Sequence, residues 1–352
     1  MTLFVHKFGD AVSATGVKRF SPGTLSIITS IVNVGDLIGS LCAGIVGSLY
    51  GRKGCLLAAS FCVCLAVILQ AAAANIGTLI AGRVILGMGV GIISNGVPLY
   101  LSEVPPTAIR GIVVGSWQLT LAIGQVIGAC VDQGTKDIPS EASYLIPICL
   151  QLIVPIIFFS FIWAIPESPR FLVSQKKNEM ARKALMKINQ SDKDYDPTLQ
   201  LKEYVKDAKL EMNGPQGGWI ELFTDPIERR KLICTAGTLA AQQITGVQFI
   251  FSYATVFSED LHIANPFLIT IIIDIIEVVG VLAGFFVVER FNRKPLLLIT
   301  TAIMIASMAI IGGLASGPEV VPLVPPESFG KAIIAFICVF VFFFNAAWYA
   351  LL

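Results

Sequence analysis

The chain is 352 residues long, 55% hydrophobic and only 14% charged, with a formal net charge of +1. Ordinary soluble domains carry about 25% charged residues, so this composition excludes a soluble globular protein and indicates an integral membrane protein. The eight cysteines lie in or beside apolar stretches without C-x-x-C spacing, and the two histidines, His6 and His262, lie outside those stretches. No metal site and no nucleophile–base pairing is expected, hence no enzyme activity, no cofactor and no nucleic-acid partner.

In chain order, the opening "MTLFVHKFGDAVSATGVKRF" lacks an apolar core long enough for a cleavable signal sequence. Nine continuous apolar runs follow, at 27–47, 55–74, 79–101, 111–131, 145–165, 232–257, 266–288, 296–314 and 331–352. Each is long enough to cross about 30 Å of hydrocarbon as a helix. A membrane barrel would need short alternating segments instead, and a helix satisfies its own backbone where water is absent. The reading is an all-α membrane protein.

Nineteen of the 25 Lys and Arg residues fall after the first run (Arg52, Lys53), after the third (Arg110), within 166–231, or after the seventh (Arg290, Arg293, Lys294). The positive-inside rule places that set in the cytoplasm and residues 1–24 outside, an orientation that leads one to expect a further helix ahead of the first run. Segment 166–231 is too polar to span; "EMARKALMKI" has an amphipathic pattern and "NGPQGGW" turn chemistry, so short cytoplasmic helices are predicted there. The loops "GSLYGRKGCL" and "VERFNRKPLL" are alike and six spans apart, as in a duplicated bundle. The expected organisation is an N-terminal bundle over 1–165, a cytoplasmic linker over 166–231 and a C-terminal bundle over 232–352.

Polar side chains within the runs need partners, because an unsatisfied amide in hydrocarbon costs several kcal/mol. Gln118 and Gln125 are two turns apart on one face, as are Asn33, Asp36 and Ser40. Such sets serve either as hydrogen-bond glue between helices or as substrate contacts. The stretch "AAQQITGVQFIFSY" at 240–253 holds Gln242, Gln243 and Gln248. On an unbroken helix Gln243 and Gln248 would stand about 140° apart, so both reach one ligand only if the helix breaks at "ITG", 244–246. Glu277 lies near the midplane of its span, roughly 16 Å in by helical rise, with Asp274 on the same face. An intramembrane carboxylate is a candidate proton carrier or substrate contact, or a protonated group bonded to a neighbouring helix. Gly35 and Gly39, four apart, suit close helix packing.

Six motifs point one way: "GRK" at 51–53, R-x3-G-x-G-x-G at 83–91, "PLYLSEVPPTAIRG" at 98–111, "PESPRFL" at 166–172, "QQITG" at 242–246 and "VVERFNRK" at 287–294. Together the chain resembles the sugar porters of the major facilitator superfamily, most of all the fungal monosaccharide (hexose) transporters. The resemblance implies a twelve-span fold of which about nine transmembrane helices are present, a fragment lacking the first span and the end. It implies sugar contacts from Gln118, Gln125, Gln242, Gln243, Gln248, Glu277 and Trp348. Glu277 stands where the family commonly has Asn, and the Gly-Pro that usually precedes the tryptophan reads Phe344-Asn345. A cytoplasmic charge network of Arg52, Glu103, Arg110, Glu167, Arg170, Glu289, Arg290 and Arg293 is implied to act in gating, with Glu103 set beside Arg110 and Glu167 beside Arg170. The implied activity is alternating-access transport of a monosaccharide with proton symport in the plasma membrane, the partners being the sugar (a hexose or similar), protons and the lipid bilayer. A nontransporting sugar sensor and an inert truncated fragment are the alternatives.

Overall fold

Helix starts follow capping chemistry. The Ser21 hydroxyl accepts from Thr24 N at 3.3 Å, and Pro22 beside it has no N–H to leave unpaired. Asn75 caps the next long helix by accepting from Thr78 N at 2.9 Å. The structure, a computed structural model, describes residues 2–12, 18–106, 109–190, 195–213, 221–251, 265–315 and 327–349.

A short helix α1 (Thr2–Phe8) and a two-residue antiparallel ladder, β1 (Ala11–Val12) with β2 (Lys18–Arg19), precede α2 (Pro22–Ala71). Two predicted runs share α2, which bends at Gly51 with φ +82°. That left-handed backbone is open to glycine and costly for other residues. Next come α3 (Ile76–Glu103) and α4 (Arg110–Thr135). The predicted run 145–165 becomes α5 (Ala142–Leu150) and α6 (Ile153–Phe161). Pro155 has no N–H to donate to the Gln151 carbonyl, which accounts for the break.

Three of the short helices expected in 166–231 are α7 (Pro169–Ser174), α8 (Asn178–Ile188) and α9 (Pro197–Asn213). The turn "NGPQGGW" lies, from residue 214 on, outside the described residues. After α10 (Glu221–Thr224), Asp225 caps α11 (Pro226–Ile244) by accepting from Ile227 N at 2.9 Å. The last helices are α12 (Pro266–Arg290), α13 (Arg293–Ala315) and α14 (Glu327–Phe343), which continues as a π-helical turn over Phe344–Tyr349.

Among the described residues, seven segments are long and apolar enough to cross a membrane, against nine runs in the sequence. Two runs merge in α2. The run 232–257 starts early, at Pro226, takes in Glu228, Arg229, Arg230 and Lys231, breaks after Ile244, and is not described beyond Phe251.

The chain divides into two compact units, Met1–Val114 with Gly134–Gln216, and Gly115–Gln133 with Gly217–Leu352. These divisions fall elsewhere than 165 and 231. Helices α7 to α9 belong with the first unit, where Leu172, Val173, Ala181, Ala184, Leu185 and Tyr204 form their own core. The middle of α4 belongs with the second; a Cβ on Gly115 would press on the Phe285 ring, 3.2 Å from its Cζ.

In the first unit α2 and α3 meet through small residues. A Cβ on Gly35 would lie 3.0 Å from Gly87 Cα, and one on Gly39 would lie 2.8 Å from Met88 Cα. Gly35, Gly39, Ala43 and Gly47 are buried on that face, whereas Leu37, Leu41, Ile45 and Leu49 are exposed on another. Small residues inside and leucine outside is the pattern of a helix facing lipid. The second unit's core gathers Val247, Ile250, Ile273, Met304, Ile337, Phe340, Phe344 and Trp348 from α12 to α14 and the segment after α11.

Candidate functional site

Two polar constellations stand out, one in each unit. The first sits at the kink of α2. The Gly51 bend carries Arg52 toward the end of α3, where its guanidinium grips Glu103 with both prongs: Nε donates to Oε2 at 2.9 Å and Nη2 to Oε1 at 2.7 Å. Both side chains are largely buried, at 17% and 10% exposure. The third guanidinium nitrogen donates to the Gly47 carbonyl at 3.2 Å, and the guanidinium carbon lies 5.2 Å from the Phe171 ring centre. The Ser168 hydroxyl also donates to Glu103 and caps α7 by accepting from Phe171 N. Glu167 accepts from backbone N–H groups of Arg52 (3.1 Å), Lys53 (3.3 Å) and Ser168 (2.9 Å). Tyr100 donates to the Pro166 carbonyl at 2.8 Å. The loop "PESPR" is thus fastened to both helices.

The pairing within this network differs from the one the resemblance implied. Glu103 bonds Arg52 rather than Arg110, and Arg110 Nε is buried without a hydrogen-bond partner among the described residues. Arg170 lies 5.3 Å over the Tyr204 ring while Glu167 serves backbone donors. Arg290 is exposed, and the side chains of Glu289 and Arg293 lie outside the described residues. Sequence reasoning missed Ser168 as the link; its signal is a serine directly before a proline, a helix-start pattern.

The other group is the set of seven predicted sugar contacts, all of which fall in the second unit. Helix α11 ends at Ile244, and the break expected at "ITG" is present: Thr245 Oγ1 donates to the Gln242 carbonyl at 2.7 Å, and Gly246 adopts φ +86°. Residues 247–251 then resume helix, with Ile250 N bonded to the Gly246 carbonyl at 3.2 Å. Gln242 is buried and its Nε2 has no hydrogen-bond partner among the described residues, whereas Gln243 and Gln248 are exposed. On α4, Gln118 is buried, Gln125 exposed, and Ala122 between them fully buried. Glu277 and Asp274 are both buried on α12. Trp348, on the π-helical turn, donates from Nε1 to Thr301 Oγ1 at 3.2 Å. Its ring belongs to the unit's apolar core. Amides suit a neutral polyhydroxyl ligand, since each offers donors and acceptors without a charge that would select ions.

Outside both constellations, Asp10 accepts from Ser21 N (2.8 Å), Ser21 Oγ (2.8 Å) and Thr24 Oγ1 (2.6 Å). These bonds, that from Thr24 foremost, hold its carboxyl down to about 2.

Residues 3–352 match the family described as "Sugar (and other) transporter". The chain is 33% identical over 341 residues to the major facilitator-type transporter ecdD of Aspergillus rugulosus, covering 95% of this chain and 63% of that protein. It is 32% identical over 340 residues to the probable glucose transporter rco-3 of Neurospora crassa, covering 96% of this chain and 57% of that protein. It therefore spans about three-fifths of the length of these curated relatives. Among solved structures, the partially occluded, inward-open xylose transporter XylE from E. coli superposes with a TM-score of 0.75 at 21% identity, over 99% of this chain and 78% of the other; at that identity the likeness speaks for the fold alone. Nine apolar runs, seven segments of spanning length among the described residues, the six motifs and a match over nearly the entire chain converge: this is a multi-pass membrane protein of the major facilitator fold, and the chain belongs to the sugar transporter family.

Proposed function

We propose that the protein to which this chain belongs carries a monosaccharide across the plasma membrane by alternating access, with proton symport. The observation that carries the reading is the helix break at Gly246, which frees Gln248 from the register that would set it about 140° from Gln243. Unsatisfied Gln242 Nε2 supplies a donor in the same segment. Transporter sites are typically built where spanning helices are discontinuous. In this reading Gln118, Gln125, Gln242, Gln243 and Gln248 bond sugar hydroxyls, Trp348 offers its ring to the apolar sugar face, and Glu277 replaces a neutral amide with a carboxyl. The similarity to a probable glucose transporter supports a hexose, and the fold is that of a protein described as a proton:xylose symporter.

The Arg52–Glu103–Ser168 set, with Glu167 on the α2 backbone, serves as a cytoplasmic latch in this scheme. A switch of this kind needs only a few kcal/mol between two packings.

Uptake of radiolabelled hexoses, pentoses and polyols by the full-length protein in a transporter-null cell, with and without a protonophore, tests the proposal. Accumulation that collapses with the protonophore is expected. Surface expression without uptake of any of these sugars overturns it, and hexose binding in that case identifies a sensor. Uptake indifferent to the protonophore removes the proton coupling alone.

A further inference from the structure

Helix α12 buries a stripe at spacings of three and four that includes Ile273, Asp274, Glu277, Gly280 and Val281. Glu277 is 1% exposed, and its Oε2 is buried with no hydrogen-bond partner among the described residues. The same is true of Oδ1 of Asn345, on the π-helical turn after α14, in a residue 0% exposed.

These two orphaned oxygens belong to one seam. A Cβ built on Gly280, one turn beyond Glu277, would lie 3.1 Å from Asn345 Cβ and 2.9 Å from the Phe342 carbonyl. Because α13 is the one crossing between them, α12 and α14 run in the same direction. Side chains on a helix lean toward its N-terminus. Asn345 Nδ2 is fixed on the Val341 carbonyl at 2.9 Å, which leaves Oδ1 as the unpaired atom of an amide that lies one turn from Glu277 along this contact.

Two buried acceptors on one helix contact have no partner among the described residues, which is costly. One proton removes the conflict: added to Oε2, it makes Glu277 a donor that the Asn345 oxygen accepts. We propose that Glu277 and Asn345 form a proton-binding site inside the second unit. A proton from water adds to the Glu277 carboxylate and returns to water from the same oxygen, and no other bond is made or broken. No ion pair to Glu277 or Asp274 forms among the described residues to hold the carboxylate charged instead. Asp274 is the ionisable neighbour on α12 itself. On α14, Cys338 lies two turns before Asn345, and Lys331 is fourteen residues away, about 21 Å along the helix. Lys294 stands at the start of α13, two turns before Thr301, and the part of α4 within this unit carries Cys130 and Asp132. The role of the site in coupling rests on the proposed transport; the binding of the proton does not.

Infrared difference spectroscopy of the purified full-length protein, titrated from mildly acidic to alkaline pH, reads the carbonyl stretch of protonated carboxylic acids without requiring transport. One band is expected to disappear in Glu277→Gln. In Asn345→Leu the band persists and its titration midpoint falls by about 0.7 pH unit, the equivalent of one ordinary hydrogen bond to the protonated form. The proposal is overturned if Glu277→Gln removes no band, if Asn345→Leu leaves the midpoint unmoved, or if sodium at constant pH displaces the proton in the unaltered protein, which identifies a metal-cation site. Sugar counterflow in proteoliposomes of the unaltered protein separates the two ideas. Exchange without a Glu277 band sinks the proton site and leaves transport standing, and a Glu277 band without exchange does the reverse.

Discussion

The α2–α3 seam allows a sharp test, because its glycines differ in what surrounds them. A Cβ on Gly87 would meet the Val32 carbonyl and lie 2.9 Å from Asp36 N and 3.0 Å from Gly35 Cα, all atoms of the facing backbone. A Cβ on Gly44, on α2, would meet nothing within 4 Å. Carbon–carbon contacts are comfortable at about 3.5–4.0 Å, so Gly87→Ala forces the helices apart by roughly 0.5–1 Å, and no side chain can turn away to absorb it. Overpacking of this kind costs about 1–3 kcal/mol. For a unit of this size that is a fall in Tm of about 2–4 °C per kcal/mol. Thermal unfolding of the detergent-purified full-length protein, followed by intrinsic fluorescence, should place Gly87→Ala about 2–12 °C below the parent and Gly44→Ala at or above it. Equal Tm values for the two variants would refute the backbone-contact argument.

The Arg52–Glu103 pair is nearly buried, so Arg52→Met alone strands a carboxylate and should cost about 3 kcal/mol. Arg52→Met with Glu103→Leu should recover much of that in a double-mutant thermal cycle, and simple additivity would show that the pair is not coupled. Asp10 has its carboxyl lowered in the folded protein, so its contribution is present above the ordinary value near 4 and is lost as pH falls toward about 2. The protection factor of the Ser21 amide, after division by the intrinsic exchange rate at each pH, should therefore be flat from neutral pH down to about 5 and fall below about 4, and Asp10→Asn should abolish that dependence. Gly246→Ala must hold φ +86° with a side chain, at about 1–2 kcal/mol; a sugar affinity lowered about fivefold to thirtyfold in equilibrium binding is expected, and unchanged affinity would detach the break from the site.

Local chemistry was legible in the residues. The spans came from hydropathy and the break before Gln248 from Thr245 and Gly246, whereas α2 and α11 start ahead of their apolar runs, at Ser21-Pro22 and Asp225-Pro226. The helix boundaries near prolines were harder, because a run such as 145–165 reads as continuous hydrocarbon until the lost Pro155 N–H is counted. Pairing of charges was the least legible. Arg52 and Glu103 lie 51 positions apart, and nothing in their spacing prefers that partner to Arg110.

Sequence by itself determined that this chain crosses a membrane as helices, which faces are small or polar, and which family it joins, because apolar length, side-chain period and cap chemistry act within a few residues. Tertiary structure decided that Glu103 takes Arg52, that Glu167 serves backbone donors, that the middle of α4 packs with the second unit, and that Glu277 and Asn345 share a seam. Those outcomes depend on which helix faces which, and a buried polar atom's partner is set by that neighbour rather than by its own position in the chain.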